Sequence, residues 1–343
     1  MQPDGQNPGV VWRVARKEMT LFFSSPVAYL FIGAFALVSL FVFFWAEAFF
    51  ARNIADVRPL FEWMPVLLIF LSAAITMRAW SDERRTGTLE HVLTQAVPLW
   101  QFVVGKFLGC WLLLLLAVLT TLPIALTVSL LGDLDWGPVW AGYLATLLLG
   151  ATYLSVGLFV SSRTDNPVVA LMITTVIGAL MYLLGSEEFT SLVNNQTADT
   201  LRALATGSRF ESITRGILDV RDLYYYLSLV AVFLALNTLM LEQQGWSKRN
   251  ASKRHSNWKW VTGLLVANLL LANVWVSQIG WLRKDVTQGQ IYSISEATQQ
   301  YLNQLQEPLR LRGYFSAKTH PLLAPLVPQL RDLLKEYEIA GQG

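Results

Sequence analysis

Apolar residues gather in long runs along most of this chain, with short polar breaks between them. The runs at residues 27–45, 65–79, 102–131, 139–160, 168–184, 224–241 and 260–275 hold few or no charges. A helix rises about 1.5 Å per residue, so such runs reach across a hydrocarbon layer of about 30 Å, or close to it. The pattern predicts seven membrane-spanning helices. Glu47, Arg52, Asp56, Arg58 and Glu62 put the first break in water. Gly132, Asp133, Asp135, Gly137 and Pro138 make a tight turn, so the third and fourth spans are adjacent and antiparallel. Residues 161–167 bring the chain back to the side of the loop at 77–108, and Thr174, Thr175 and Gly178 permit close packing of the fifth span. In the longest loop, 185–222, Phe210, Ile213 and Ile217 share a helical face, which suits either a stretch half-inserted at the membrane surface or a plain surface loop. Ahead of the first span, Val11, Val14, Met19 and Phe22 alternate with Trp12, Arg13, Arg16 and Lys17, the composition of a helix lying flat on headgroups.

The stretch 77–108 differs from the other breaks. It carries Arg78, Asp82, Glu83, Arg84, Arg85, Glu90 and Lys106 and must leave the bilayer before the third span enters past Lys106. Gly87 breaks one helix, Thr86 or Thr88 can cap the next, and Leu89, Val92 and Leu93 then fall on one face until Pro98. A turn between spans needs only a handful of residues, and this segment uses about twenty. That favours a compact handle for a soluble partner, with a loop whose apolar residues pack on their own bundle as the alternative.

Beyond the seventh span the chain turns polar. Ser293 and Glu296 suit a capping box for a helix to about residue 305, residues 309–315 alternate like a strand, and 325–337 read as another helix. A single strand cannot close a core, so residues 280–343 are expected to open a larger outer domain.

Composition fits a polytopic membrane protein: 54% of residues are hydrophobic, 15% charged, and mean hydropathy is +0.42. A net charge of +2 argues against a nucleic-acid partner, and Cys110, the one cysteine, sits in an apolar run where it packs. The first apolar run is too long for a cleaved signal. With the N-terminus inside, the cytoplasmic side holds 13 Lys and Arg (three, four, one and five per segment) against six in the short outer loops (two and four). This obeys the positive-inside rule. The basic run of Lys248, Arg249, Lys253, Arg254 and Lys259 then sets topology and meets anionic lipid. No phosphate-binding loop exists, because Gly105-Lys106 lacks the upstream glycine and the hydroxyl. His91, His255 and His320 have no metal-ligand spacing, so neither a catalytic nor a metal site is expected. Asn237, Asn268 and Asn273 are the main polar groups within the spans, which disfavours a proton-coupled carrier.

Glu83, Gly87-Thr88-Leu89-Glu90, Leu93-Thr94, Pro98 and Gly105-Lys106 resemble the cytoplasmic coupling segment of ABC-2 type transporter permeases. Ala15-Arg16-Lys17-Glu18 with Phe23-Ser24-Ser25-Pro26-Val27-Ala28-Tyr29-Leu30, and Phe210-Glu211 with Arg215-Gly216-Ile217-Leu218-Asp219-Val220-Arg221-Asp222, are similar to the gliding-motility GldF group. Asp285, Tyr292-Ser293-Ile294-Ser295, Ala297-Thr298, Leu305, Glu307-Pro308 and Tyr314-Phe315-Ser316 resemble the opening of a GldG-type auxiliary domain, which implies a fusion of two subunits.

The resemblance implies an all-α polytopic membrane protein: a disordered start (1–9), an interfacial elbow helix (10–25), a six-span permease bundle (26–242) and a basic cytoplasmic linker (243–259). A seventh transmembrane helix (260–277) and the beginning of an extracytoplasmic α/β domain (278–343) follow. It further implies an ATP-driven permease in a bacterial inner membrane, with its N-terminus cytoplasmic and its C-terminus extracytoplasmic. This chain would bind no cofactor; ATP and Mg would sit on a dimer of cytoplasmic ABC ATPases. A second permease subunit, identical or not, would complete the membrane part. Glu83, Gly87, Thr88, Leu89, Glu90, Val92 and Leu93 would couple to the ATPase, and Trp12, Arg13, Arg16 and Lys17 would anchor the elbow in lipid. The competing function is a non-transporting mechanical or signalling complex driven by an ATPase.

Overall fold

The computed structural model describes residues 8–52, 55–190, 195–245, 253–276, 283–289, 294–304 and 309–314, with Leu330, Leu333, Leu334 and Tyr337 beyond them. Six helical stretches are long and apolar enough to cross a membrane: 26–51, 58–85, 99–131, 136–161, 220–244 and 255–276, with a shorter apolar helix at Pro167–Leu183. These match the seven expected runs in order.

The chain opens with helix α1 (Pro8–Phe23), and Pro26 then starts α2 (Pro26–Phe41), which runs into a π-turn (Val42–Ala46). Pro8 and Gly9 already belong to α1, so the start expected to be disordered is helical at least from there; residues 1–7 lie outside the described ones. After α3 (Phe49–Arg52), α4 (Arg58–Thr76) begins seven residues earlier than the apolar run suggested, since Pro59 suits a first helical turn. Two short helices follow, α5 (Ser81–Arg85) and α6 (Leu89–Leu93). The third apolar run divides into α7 (Leu99–Leu119) and α8 (Leu122–Leu131). Pro123 has no N–H to continue the ladder, and just before it the chain tightens: the Thr120 and Thr121 N–H groups and hydroxyls all donate to the Ala117 and Val118 carbonyls three residues back.

Asp135 caps α9 (Trp136–Ser161), and Asn166 caps α10 (Pro167–Leu183), each accepting from a backbone N–H two residues on. The long loop holds α11 (Glu187–Thr190), α12 (Asn195–Leu204), α13 (Thr206–Thr214) and strand β1 (Ile217–Asp219) before α14 (Val220–Gln244). Phe210 and Ile213 lie on α13 as expected, but Ile217 belongs to β1; Gly216, at φ +96°, has already ended the helix. The last spanning helix, α15 (Lys253–Val276), starts within the basic run rather than after it.

Strand β2 (Arg283–Asp285) pairs antiparallel with β1, and α16 (Glu296–Asn303) closes the described order. Ser295 caps α16 by accepting from the Thr298 N–H, so the capping residue is not Ser293, which lies outside the described residues. The strand expected at 309–315 does not form over 309–314, where those positions have no neighbouring strand to pair with among the described residues. Most of the helix expected at 325–337 lies outside the described residues.

Helix α9 is the axis of the bundle and packs against α4, α7, α10, α13 and α14. Tyr153, Leu149, Leu154 and Leu158 on α9 are buried against Leu60, Phe61, Met64 and Leu68 of α4 and Leu113 and Leu114 of α7. At the bundle end opposite α5 and α6, the stretch from α12 to β1 is pinned by polar contacts. Arg209 pairs with Asp222 at 2.8 Å, Tyr226 donates to the Thr206 carbonyl at 2.7 Å, and the Thr206 hydroxyl donates to the Met181 carbonyl at 3.1 Å.

Candidate functional site

Helix α1 has two faces. Trp12, Arg13, Arg16 and Lys17 are exposed, while Val14, Ala15 and Glu18 turn toward α7. Two glycines on α7 let it come close: a Cβ on Gly105 would stand 2.6 Å from Val14 Cβ, and one on Gly109 would stand 2.7 Å from Glu18 Cβ. With α1 seated that deeply, a carboxylate on its inner face reaches a cation buried in the first turns of α7. Lys106 Nζ lies 2.7 Å from Glu18 Oε1.

The same cation has a second carboxylate. Glu83 of α5 places Oε1 at 2.8 Å from Lys106 Nζ, and the ring of fully buried Trp80 lies 4.8 Å away. Lys106 is 4% exposed. A buried cation is tolerated only where ion pairs and hydrogen bonds replace its water, and here two carboxylates and an aromatic face do so. Three elements far apart in sequence, α1, α5 and α7, therefore meet on one ammonium group.

Helix α5 is also stitched to the α9–α10 turn. Ser161 Oγ accepts from the Trp80 and Ser81 backbone N–H groups at 3.1 and 3.2 Å, and Arg84 donates to the Ser162 carbonyl at 2.5 Å. Gln244, at the end of α14, donates to the same carbonyl at 3.4 Å. This places residues 161–167 beside the 77–108 segment, as their sequence suggested.

Gly87 ends α5 in the left-handed region at φ +73°. The neighbouring threonines do not cap α6 as expected. Thr88 occupies the cap position without accepting from a backbone N–H; its hydroxyl donates to the Glu83 carbonyl, and Thr86 donates to the Asp82 carbonyl. Both serve as closures of α5, which consumes their donors locally.

The apolar knob of α6 points inward. Leu89 is 6% exposed and belongs to the bundle's own core, with Val92 and Leu93 half-buried against it. Leu89, expected to take part in ATPase coupling, is thus covered by this chain's own bundle, as in the alternative reading of the loop. What α5 and α6 do expose is polar: Arg85, Thr86, Gly87, Thr88, Glu90 and His91. Glu83, expected among the coupling residues, is drawn into the ion pair with Lys106.

Sequence reasoning gave no role to Glu18, Trp80 or Ser161, and treated Lys106 as a marker of membrane entry. One signal was available for Glu18: it follows Val14 and Ala15 by four and three residues, on the apolar side of an otherwise basic helix. No side chain at this junction is arranged as a nucleophile with its base, and among the described residues no three His, Cys, Asp or Glu groups could hold a metal ion.

Comparison with known families gives two matches. Residues 53–271 match the model of the ABC-2 family transporter protein, which covers more than half of the chain. Residues 288–343 match a domain of unknown function, DUF7088. No curated protein matches the chain.

Proposed function

We propose a coupling mechanism for this chain, which belongs to the ABC-2 family of transporter proteins and is a multi-pass membrane subunit of an ABC transporter. In this reading a separate cytoplasmic ATPase dimer docks on the exposed edge of α5 and α6, at Arg85, Thr86, Gly87, Thr88, Glu90 and His91. Leu89, Val92 and Leu93 hold that edge on the bundle. The Lys and Arg asymmetry supports placing this end, with the N-terminus, in the cytoplasm and the β1–β2 end outside. ATP and Mg act on the partner chain, and a second permease subunit, identical or different, completes the pathway for a substrate that moves across a bacterial inner membrane.

The observation that carries the reading is the Glu18–Lys106–Glu83 junction. When the ATPases close and push α6, α5 moves with it, and Glu83 is the point where that motion reaches both the third span and the elbow helix. Glu83 Oε2 is buried without a hydrogen-bond partner among the described residues, which leaves an acceptor open for a second arrangement of the junction. A GldF-type permease continuing into a GldG-type domain, in a gliding-motility-type system, is our finer assignment. Its supports are the motifs in residues 15–30 and 210–222 and a separate region beginning at residue 288.

The test is ATP hydrolysis by the reconstituted complex. Glu83→Gln is expected to retain the ATPase on purification but to lose stimulation of hydrolysis by the permease. Wild-type stimulation in a correctly inserted Glu83→Gln protein overturns the role of the junction.

A further inference from the structure

Strand β2 has the sequence Arg283-Lys284-Asp285, which carries none of the β-branched or aromatic residues that favour strands. It is extended because something offers it backbone to pair with. That partner is β1, in the register Ile217 with Asp285, Leu218 with Lys284, and Asp219 with Arg283. The pairing continues one residue further, where the Val286 N–H donates to the Gly216 carbonyl at 3.0 Å.

The turn before α9 is shaped to receive the same segment. Asp135 uses one carboxylate oxygen to cap α9, through the Gly137 N–H at 2.9 Å, and the other to accept from the Gln288 N–H at 2.8 Å. Val286 packs on the bundle core, and Thr287 is buried. Gly137 leaves the necessary room: a Cβ there would fall 1.8 Å from the Val286 carbonyl oxygen, inside contact distance for any atoms. By contrast, α15 is the least enclosed of the six long apolar helices. Asn273 of α15 donates to Ser228 Oγ of α14 at 2.8 Å, and the Tyr224 hydroxyl of α14 donates to the Leu269 carbonyl at 3.5 Å.

We propose that residues 283–288 are a docking strand, seated on a receptor built from β1, Gly216, Asp135 and Gly137, which ties the region that matches DUF7088 to the α13–β1 segment. Helix α13 leads into β1 through Gly216, and its Phe210 and Ile213 are buried in the bundle core. Any displacement of α13 is therefore passed through a backbone ladder to the chain beyond residue 288. Helix α15 supplies a tether and the strand supplies the position. This mode is strand addition within one chain: main-chain bonds hold, and the close-approach glycines Gly137 and Gly216 decide what fits. The inference stands without the transport reading.

The experiment uses the full chain in its membrane, with Leu218→Cys and Lys284→Cys and a protease site inserted between residues 245 and 253. Directly opposed positions of an antiparallel pair lie within disulfide reach, and Cys110 is buried. After mild oxidation and cleavage, the two fragments are expected to stay joined until a reductant is added. Gly137→Val should abolish the joined product. Asp135→Asn, which keeps a capping side chain but removes one carboxylate oxygen, should lower its yield several-fold. Gly263→Ala, at a position where an added Cβ meets nothing, should leave it unchanged. If Gly137→Val does not insert, Asp135→Asn decides. The proposal is overturned by separate fragments in the inserted double-cysteine protein, by undiminished joining in Asp135→Asn, or by joined product of twice the chain mass, which would put a second copy's strand in the seat.

Discussion

Lys106 is one ammonium group serving two carboxylates, and the arithmetic of buried charge says which substitution hurts most. Taking ions out of water costs several kcal/mol each, and the mutual attraction of well-placed partners offsets it. Lys106→Met leaves Glu18 and Glu83 facing each other without a counter-ion, so it is expected to destabilise the protein by about 3–5 kcal/mol. Glu18→Gln leaves one carboxylate on one ammonium and keeps a hydrogen-bond acceptor, so its effect is smaller. Removing all three charges together, as Glu18→Gln/Glu83→Gln/Lys106→Met, relieves the buried ions and should recover part of the loss. Thermal unfolding in detergent, followed by tryptophan fluorescence, ranks the three proteins. Equal midpoints for Lys106→Met and the triple variant would show that the carboxylates do not answer to the lysine.

At the scale of elements, α5, Gly87 and α6 form a unit whose inner and outer faces have separable roles. Leu89→Ala removes a side chain that the bundle itself covers, and large-to-small changes in such places cost about 2–5 kcal/mol. The protein alone, with no ATPase present, should therefore unfold at a lower temperature. Glu90 is exposed, so Glu90→Lys should leave that temperature unchanged while weakening ATPase recovery in a salt-dependent way. If Leu89→Ala keeps wild-type stability and only ATPase binding falls, the knob faces outward after all. The existence of α6, its start after Gly87 and the face shared by Leu89, Val92 and Leu93 were all legible from spacing. What that face meets was not, because helical periodicity says which side is apolar and nothing about whether the cover comes from the same chain. Glu18 and Lys106 are 88 positions apart, and only the close seating of α1 on Gly105 and Gly109 brings them together. Strand β2 was illegible for the opposite reason: its sequence carries no strand signal, and its conformation is imposed by β1.

For the whole molecule, the seven apolar runs fixed the order of the spans, since length and charge exclusion are properties of each run alone. Orientation is a further step, because a bundle with two polar ends can sit either way up. The choice rests on the Lys and Arg of the segments before and between the spans: 13 belong to those assigned to the side of α5 and α6, and six to the short loops assigned to the side of β1. If these positive charges stay in the cytoplasm, Thr88 faces inward and Gln288 faces outward, and both are exposed. The native Cys110 is buried and gives little background. Cells carrying Thr88→Cys or Gln288→Cys, treated intact with a membrane-impermeant maleimide that has access to the inner membrane's outer surface, should label Gln288→Cys only. Thr88→Cys should label once the membrane is opened, which also shows that the residue is free in the assembled protein. The reverse pattern would invert the molecule, place α5 and α6 beyond the reach of a cytoplasmic ATPase, and turn the docking strand toward the cell interior.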